Sequence, residues 1–414
     1  MEMAATGDIR RRRVMYIPGY DPIHPRRYRE LYRKESRAQA AISGYQIDVS
    51  PKTDAGPYGW QVGATVDGNQ THADIDVLVW SDIVRTSMAQ GVLATYGQLL
   101  RTAWVYISTG ALRRLMWLRK GPVIAALYPI GMLMVQLGLA LAISATAGDL
   151  LVNALEWLIG DTGVLGRAVE LAVLVAGTAA GLRWFRKHDN RLFAYYLMHD
   201  FAFSARWRGA NPPELEARMA EFGELIAQAL GSDVDEVLIV GHSSGAHLGV
   251  SILADLIRAG RVPAQGPKLA FLSLGQVVPM VSFLPKAHRL RADLHYLSTR
   301  EELTWVDVTA PGDGCSFALC DPVAVSGVAP EDKRWPLVFS AAFTQSLSAA
   351  RWKELRWRFF RLHFQYLCAF DRPKDYDYFQ ITAGPLSLAE RYADRSPSKS
   401  RIDVPASKFT SMAA

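Results

Sequence analysis

Residues 237–248 read Val-Leu-Ile-Val-Gly-His-Ser-Ser-Gly-Ala-His-Leu, and the way this stretch folds decides the reading of the whole chain. Positions 237–240 form an apolar run of strand length. From residue 246 to 259, Leu248, Ile252, Leu253 and Leu256 recur at helical spacing. Between the two lies Gly241-His242-Ser243-Ser244-Gly245. A strand that becomes a helix within five residues presses backbone against backbone, which Gly241 and Gly245 permit by lacking a Cβ. The same turn predicts a strained Ser243, its hydroxyl held out over the end of a sheet above the N–H groups of the helix N-terminus.

Outward from this stretch the chain alternates between the two periodicities. Residues 14–17 predict a short buried strand that ends at Pro18-Gly19-Tyr20, and 26–41 predict a helix. Strands are expected at 45–49, 59–66 and 75–80, with a helix from Asp82. Further on, Pro213 opens a helix carrying Leu215, Met219, Phe222, Ile226 and Leu230 at helical spacing. Strands are expected at 269–274, 294–298 and 305–308, and 351–370 reads as largely helical. From Pro385 the chain turns polar and is expected to be loosely held. Strands alternating with helices predict an α/β fold, a mainly parallel sheet flanked by helices.

Half of the 414 residues are hydrophobic, and the excess concentrates between 121 and 182. Residues 121–148 are 28 positions without a charge, Gln136 being the only strongly polar side chain. As a helix this run spans about 42 Å, against about 30 Å of bilayer hydrocarbon. A second run, 168–182, has 15 residues including Glu170, a marginal length. Its Gly177 and Gly181 have the spacing that lets two helices approach closely. Arg113, Arg114, Arg119 and Lys120 precede the block, and Arg183, Arg186, Lys187 and Arg191 follow it. The connection 149–163 carries acids and no Lys or Arg. That asymmetry predicts a helical hairpin with two crossings and both large parts of the chain cytoplasmic. A greasy lid or helix pair in a soluble protein is the alternative.

The remaining bulk features exclude more than they assert. The balance of 46 Lys plus Arg against 40 Asp plus Glu, with no zinc-finger or RNA-binding signature, predicts no nucleic-acid partner. Three cysteines, Cys315, Cys320 and Cys368, give neither a disulfide framework nor a zinc knuckle. The apolar run after Arg10–Arg13 is four residues long, too short for the core of a cleaved signal.

A serine needs a base to attack. Nine histidines are present; His242 and His247 flank the turn on sides unsuited to reach Ser243, and His363 alone lies beyond residue 295. Sheets of this kind supply the base from a loop after the last strands, which points to His363. A core histidine held by aromatic neighbours is the plainer reading. An orienting carboxylate is expected at Asp313, in a glycine-flanked loop beyond the 305–308 strand, with Asp307 and Asp321 as weaker choices. All three are also ordinary turn formers. Two oxyanion donors are expected, the N–H groups of Ser244 and of Tyr20 in Pro18-Gly19-Tyr20-Asp21, where a plain turn is the alternative.

The order Ser243, Asp313, His363, the Gly-His-Ser-Ser-Gly turn and the early Ile-Pro-Gly-Tyr loop resemble the α/β-hydrolase superfamily, especially its lipase and esterase branches. The resemblance covers roughly 10–110 and 190–385. It implies acylation at Ser243 and hydrolysis by water, with no cofactor and no metal. The apolar block departs from the pattern, since it precedes the turn where lids of that superfamily usually follow it. The chain is thus expected to divide into a first hydrolase part (10–110), a hydrophobic helical membrane anchor (111–190), a second hydrolase part carrying the catalytic residues (191–385) and a polar tail (386–414). The expected substrate is a lipid or long-chain acyl ester at the bilayer surface, with Trp352, Trp357, Phe359, Phe360 and Phe364 lining a groove or packing the core. An acyltransferase or thioesterase would use the same residues; a peptidase and a non-catalytic membrane scaffold are the remaining rivals.

Overall fold

A computed structural model describes residues 9–413. They form two compact units: residues up to Thr86 with Tyr106–Pro122 and the chain from Trp207 onward, and Ser87–Val105 with Val123–Arg206. The first unit holds β1 (Arg11–Ile17), β2 (Gln46–Pro51), β3 (Gly59–Val66), β4 (Asn69–Val77), β5 (Glu236–His242), β6 (Lys268–Leu274), β7 (Leu303–Thr309) and β8 (Leu337–Ser340). These make one eight-stranded sheet in the order β2-β3-β4-β1-β5-β6-β7-β8. From β4 across to β8 neighbours run parallel, whereas β2, β3 and β4 form an antiparallel meander. The fold is therefore α/β, a mostly parallel sheet flanked by helices, as expected.

The order of strands positions the site. From β1 the chain crosses to the far edge at β2 and returns through β3 and β4 to the side of β1, whereas from β5 it works outward to β8 on the other side. The C-terminal ends of two such neighbours diverge and leave a crevice. Ile17 pairs with Gly241, so the turns after β1 and β5 leave the sheet side by side. All seven residues of β5 are buried, which is why its middle, 237–240, is a continuous apolar run. The helix Ser244–Arg258 that follows buries Leu248, Ile252, Leu253 and Leu256, the periodic positions of the sequence. At the opposite end of the strands Arg12 is buried against Glu236 (Nε–Oε2 2.6 Å) and donates to the carbonyls of Gly384 and Leu386. Glu236 accepts the Leu388 N–H, so this interior ion pair has the hydrogen bonds it needs.

Four stretches differ from expectation. β4 begins at Asn69 because Asp67 and Gly68, both at positive φ, make a tight hairpin from β3. Residues 294–298 are not a strand but close the helix His288–Leu297, where Leu290, Leu294 and Leu297 face inward at helical spacing. Residues 351–370 break into the helices Ala349–Leu355 and Phe359–His363 and the 3₁₀ turn Gln365–Leu367. The polar tail is held rather than loose: the N–H groups of Ser398, Ile402 and Ala406 bond to the carbonyls of Val338, Leu319 and Val325.

The second unit is helical. Two helices, Lys120–Ile159 and Gly163–Lys187, are long and apolar enough to cross a membrane. They lie antiparallel: Gly181 faces Ala140, Gly177 faces Ser144 and Gly148 faces Glu170. Nearer its start the longer helix packs instead on Val92–Ser108 and Ala194–Arg206, through a cluster of Leu99, Leu133, Tyr195 and Met198.

Candidate functional site

The turn after β5 is as tight as its glycines suggest. A Cβ on Gly245 would lie 2.1 Å from the Ile17 carbonyl oxygen, and one on Gly241 would lie 2.7 Å from the Gly245 oxygen. Ser243 between them stands at φ 56°, ψ −120°, a region a serine occupies only when its surroundings enforce it. Its N–H bonds to the Leu274 carbonyl at 2.9 Å, and its side chain is half-buried. Gly19 closes the site from the β1 side, where a Cβ would lie 3.0 Å from Ser243 Cβ. Ser244 opens the helix, and its N–H has no acceptor among the described residues.

The loop after β1 is fixed in place. Trp80 Nε1 donates to the Pro18 carbonyl at 2.9 Å, and the Tyr20 ring meets Trp80 edge-on. Asp21 accepts from Tyr28 Oη and from the Ile23 N–H and pairs with Arg27, whose guanidinium lies over the Phe364 ring.

His363 and Asp313, 50 residues apart, meet at Nδ1–Oδ2 2.8 Å, both buried. Asp313 Oδ2 also accepts from Tyr366 Oη, and Oδ1 from the Cys315 N–H. Burial pushes the Asp313 carboxyl up, but the His363 ring and then the Cys315 N–H outweigh it and hold the group below the ordinary carboxylate range. The His363 ring borders the turn after β6: a Cβ on Gly275 would lie 3.1 Å from its Cε1. Ser243 is bonded to the residue just before, Leu274. No hydrogen bond joins Ser243 Oγ to His363 among the described residues. The His242 ring is tilted over the His363 ring at 4.8 Å, and burial and then the neighbouring His363 charge push its pKa down to about 3, so it stays neutral.

The other two carboxylates have different tasks. Asp307 is buried within β7 against Ser273, and Asp321 caps a short helix while pairing with Lys333. Trp352 and Phe359 flank the Asp313 loop, closing on Gly312 and Gly314.

Comparison with known families, curated proteins and solved structures finds no match.

Asp313, Cys315 and His363 bring one ligand atom each to within 4.8 Å of one another. A cation shared by a ring nitrogen and a carboxylate oxygen at tetrahedral angles would hold those atoms about 3.3 Å apart. The His363–Asp313 contact is closer than that, a direct hydrogen bond at 2.8 Å. Cys315 and Tyr366 were not anticipated. Tyr366 lies three residues after His363, the spacing at which a helical turn brings two side chains to one side, and that spacing was a usable signal.

Proposed function

We propose that the chain is a serine hydrolase that cleaves a lipid or other long-chain acyl ester at a membrane surface. The observation that carries this reading is the strained Ser243 at the mouth of the β1–β5 crevice, across the Leu274–Gly275 turn from a buried, hydrogen-bonded Asp–His pair. With its Nδ1 committed to Asp313, His363 keeps Nε2 as the proton acceptor. In the proposed reaction Ser243 Oγ attacks the ester carbonyl and its proton passes to His363. The oxyanion takes the N–H groups of Ser244 and Tyr20. The imidazolium then protonates the leaving alcohol, and a water activated by the same ring releases the acid. Such a Ser–His contact commonly tightens only when substrate is bound.

The bilayer part of the reading is supported by the second unit. Ile143, Leu150, Leu171 and Val175 are exposed along the two long helices, with Trp157 near one end and Trp184 near the other. The basic flanks favour both large parts of the chain on the cytoplasmic side.

An active-site-directed fluorophosphonate tests the proposal. Wild-type protein is expected to be labelled and Ser243→Ala not. Equal labelling of the two would overturn the nucleophile, and no labelling of either would favour the scaffold. Product analysis with an added alcohol acceptor separates hydrolysis from acyl transfer by the same residues.

A further inference from the structure

Between the helices Val92–Ser108 and Ala194–Arg206, within the second unit, lies an open groove of about 290 Å³. Its walls include Gln98, Arg101, Thr102 and Arg206, with Gly97 and Ala202 leaving room between them. Two guanidiniums and no carboxylate line it. Arg101 is exposed, and its one polar contact among the described residues is the Arg206 carbonyl at 3.1 Å. Gln98 Oε1 is taken by His199 Nδ1 at 2.9 Å. Burial, and then the Arg186 charge, push His199 down to about 4, so at neutral pH its ring is uncharged and Nδ1–H donates. That leaves the Gln98 NH2 as a further donor. No atom lies within 4 Å of where a Cβ on Gly97 would stand, so a ligand can reach the helix backbone there.

The rim of the groove is apolar. Leu93, Leu100 and Trp104 share the face of the helix that carries Gly97, and they are 88%, 70% and 72% exposed. The opposite face, through Leu99 and Tyr96, packs on Leu133 of the longer apolar helix. Donors of positive charge in a cleft, bordered by large, mostly exposed apolar side chains, match an anionic headgroup continuing into acyl chains.

We propose that this groove binds the phosphate of an anionic phospholipid, with Arg101, Arg206 and Gln98 on the headgroup and Leu93, Leu100 and Trp104 against the chains. The lipid source rests on the bilayer reading of the two long helices, while the phosphate site is independent of the hydrolase reading.

The test is calorimetric titration of the detergent-solubilised full chain in the Ser243→Ala form, so that no probe is consumed. The probes are dihexanoyl phosphatidic acid, dihexanoyl phosphatidylcholine and inorganic phosphate. Saturable binding of phosphatidic acid is expected, with the other two weaker by about tenfold or more, and Arg101→Gln should lose about tenfold. Gly97→Gln, which fills the groove from an open position, should do the same with the melting temperature unchanged. Equal binding of the zwitterionic lipid, or affinities untouched by both variants, would overturn the site. Inorganic phosphate binding as tightly as phosphatidic acid would overturn the lipid.

Discussion

Asp307 and Asp313 stand six residues apart, and their surroundings drive them in opposite directions. Asp307 is wholly buried in β7; Ser273 Oγ donates to its Oδ1 at 2.5 Å, while Oδ2 has no partner among the described residues. Burial pushes its pKa up to about 8, so it folds as the neutral acid. A carboxyl raised on folding contributes its stability below its unfolded pKa, near 4, and loses it as pH rises toward 8. Asp307→Asn is therefore expected to raise the melting temperature by several degrees at pH 8 and to leave it near wild type at pH 4.5. An equal shift at both pH values would contradict this. Asp313, held low, has the reverse sign: its contribution is present above the unfolded pKa and is lost only in acid, so the two windows do not overlap. Sequence could rank these two aspartates because one falls inside an apolar strand and the other in a glycine-flanked loop. The Cys315 N–H bond is local, two residues on from Asp313; spacing could place Tyr366 beside His363, but its bond to Asp313 exists only once residues 313 and 363 are brought together.

At the scale of elements, the contact between the two long helices depends on glycine at particular turns. A Cβ on Gly177 would lie 2.5 Å from Ser144 Oγ, whereas Gly138 has nothing within 4 Å. Gly177→Leu is expected to destabilise the protein by about 1–3 kcal/mol through overpacking, and Gly138→Ala to be neutral or mildly stabilising. Thermal melts of both variants in the same detergent check this, and a neutral Gly177→Leu would break the proposed packing. The Ser244–Arg258 and Pro213–Leu230 helices were legible from long, clean periodicity, and the four-residue runs 14–17, 237–240 and 305–308 did fold as strands. The run at 294–298 did not. Residues 294–298 carry too few positions to tell a strand from the last turn of a helix, and only packing of Leu290 and Leu294 on the core decides it. The Asp67-Gly68 hairpin was written plainly in the sequence and would have moved the start of β4 to its true place.

For the molecule as a whole, the proposed bilayer setting rests on the two long apolar helices. Leu171 and Val175 are exposed on the shorter helix, and a charge at a bilayer-facing position costs about 2.5–3.5 kcal/mol. Wild-type protein is expected to remain in the membrane pellet after an alkaline carbonate wash, and Leu171→Arg/Val175→Arg to be released from it. Release of the wild type would favour the soluble-lid alternative. The pairing of β1 with β5 joins Arg12 to Glu236, with 223 residues of chain between them, including both apolar helices. A chain made from its N-terminus therefore completes β1, its β2-β3-β4 flank and the whole apolar hairpin before any residue of β5 exists. Ser243 acquires its strained geometry only after that, when β5 is inserted beside a waiting β1 edge. On the proposed reading, the hairpin would find its surroundings in the cell first, and the nascent protein could not become reactive until that hairpin had been made.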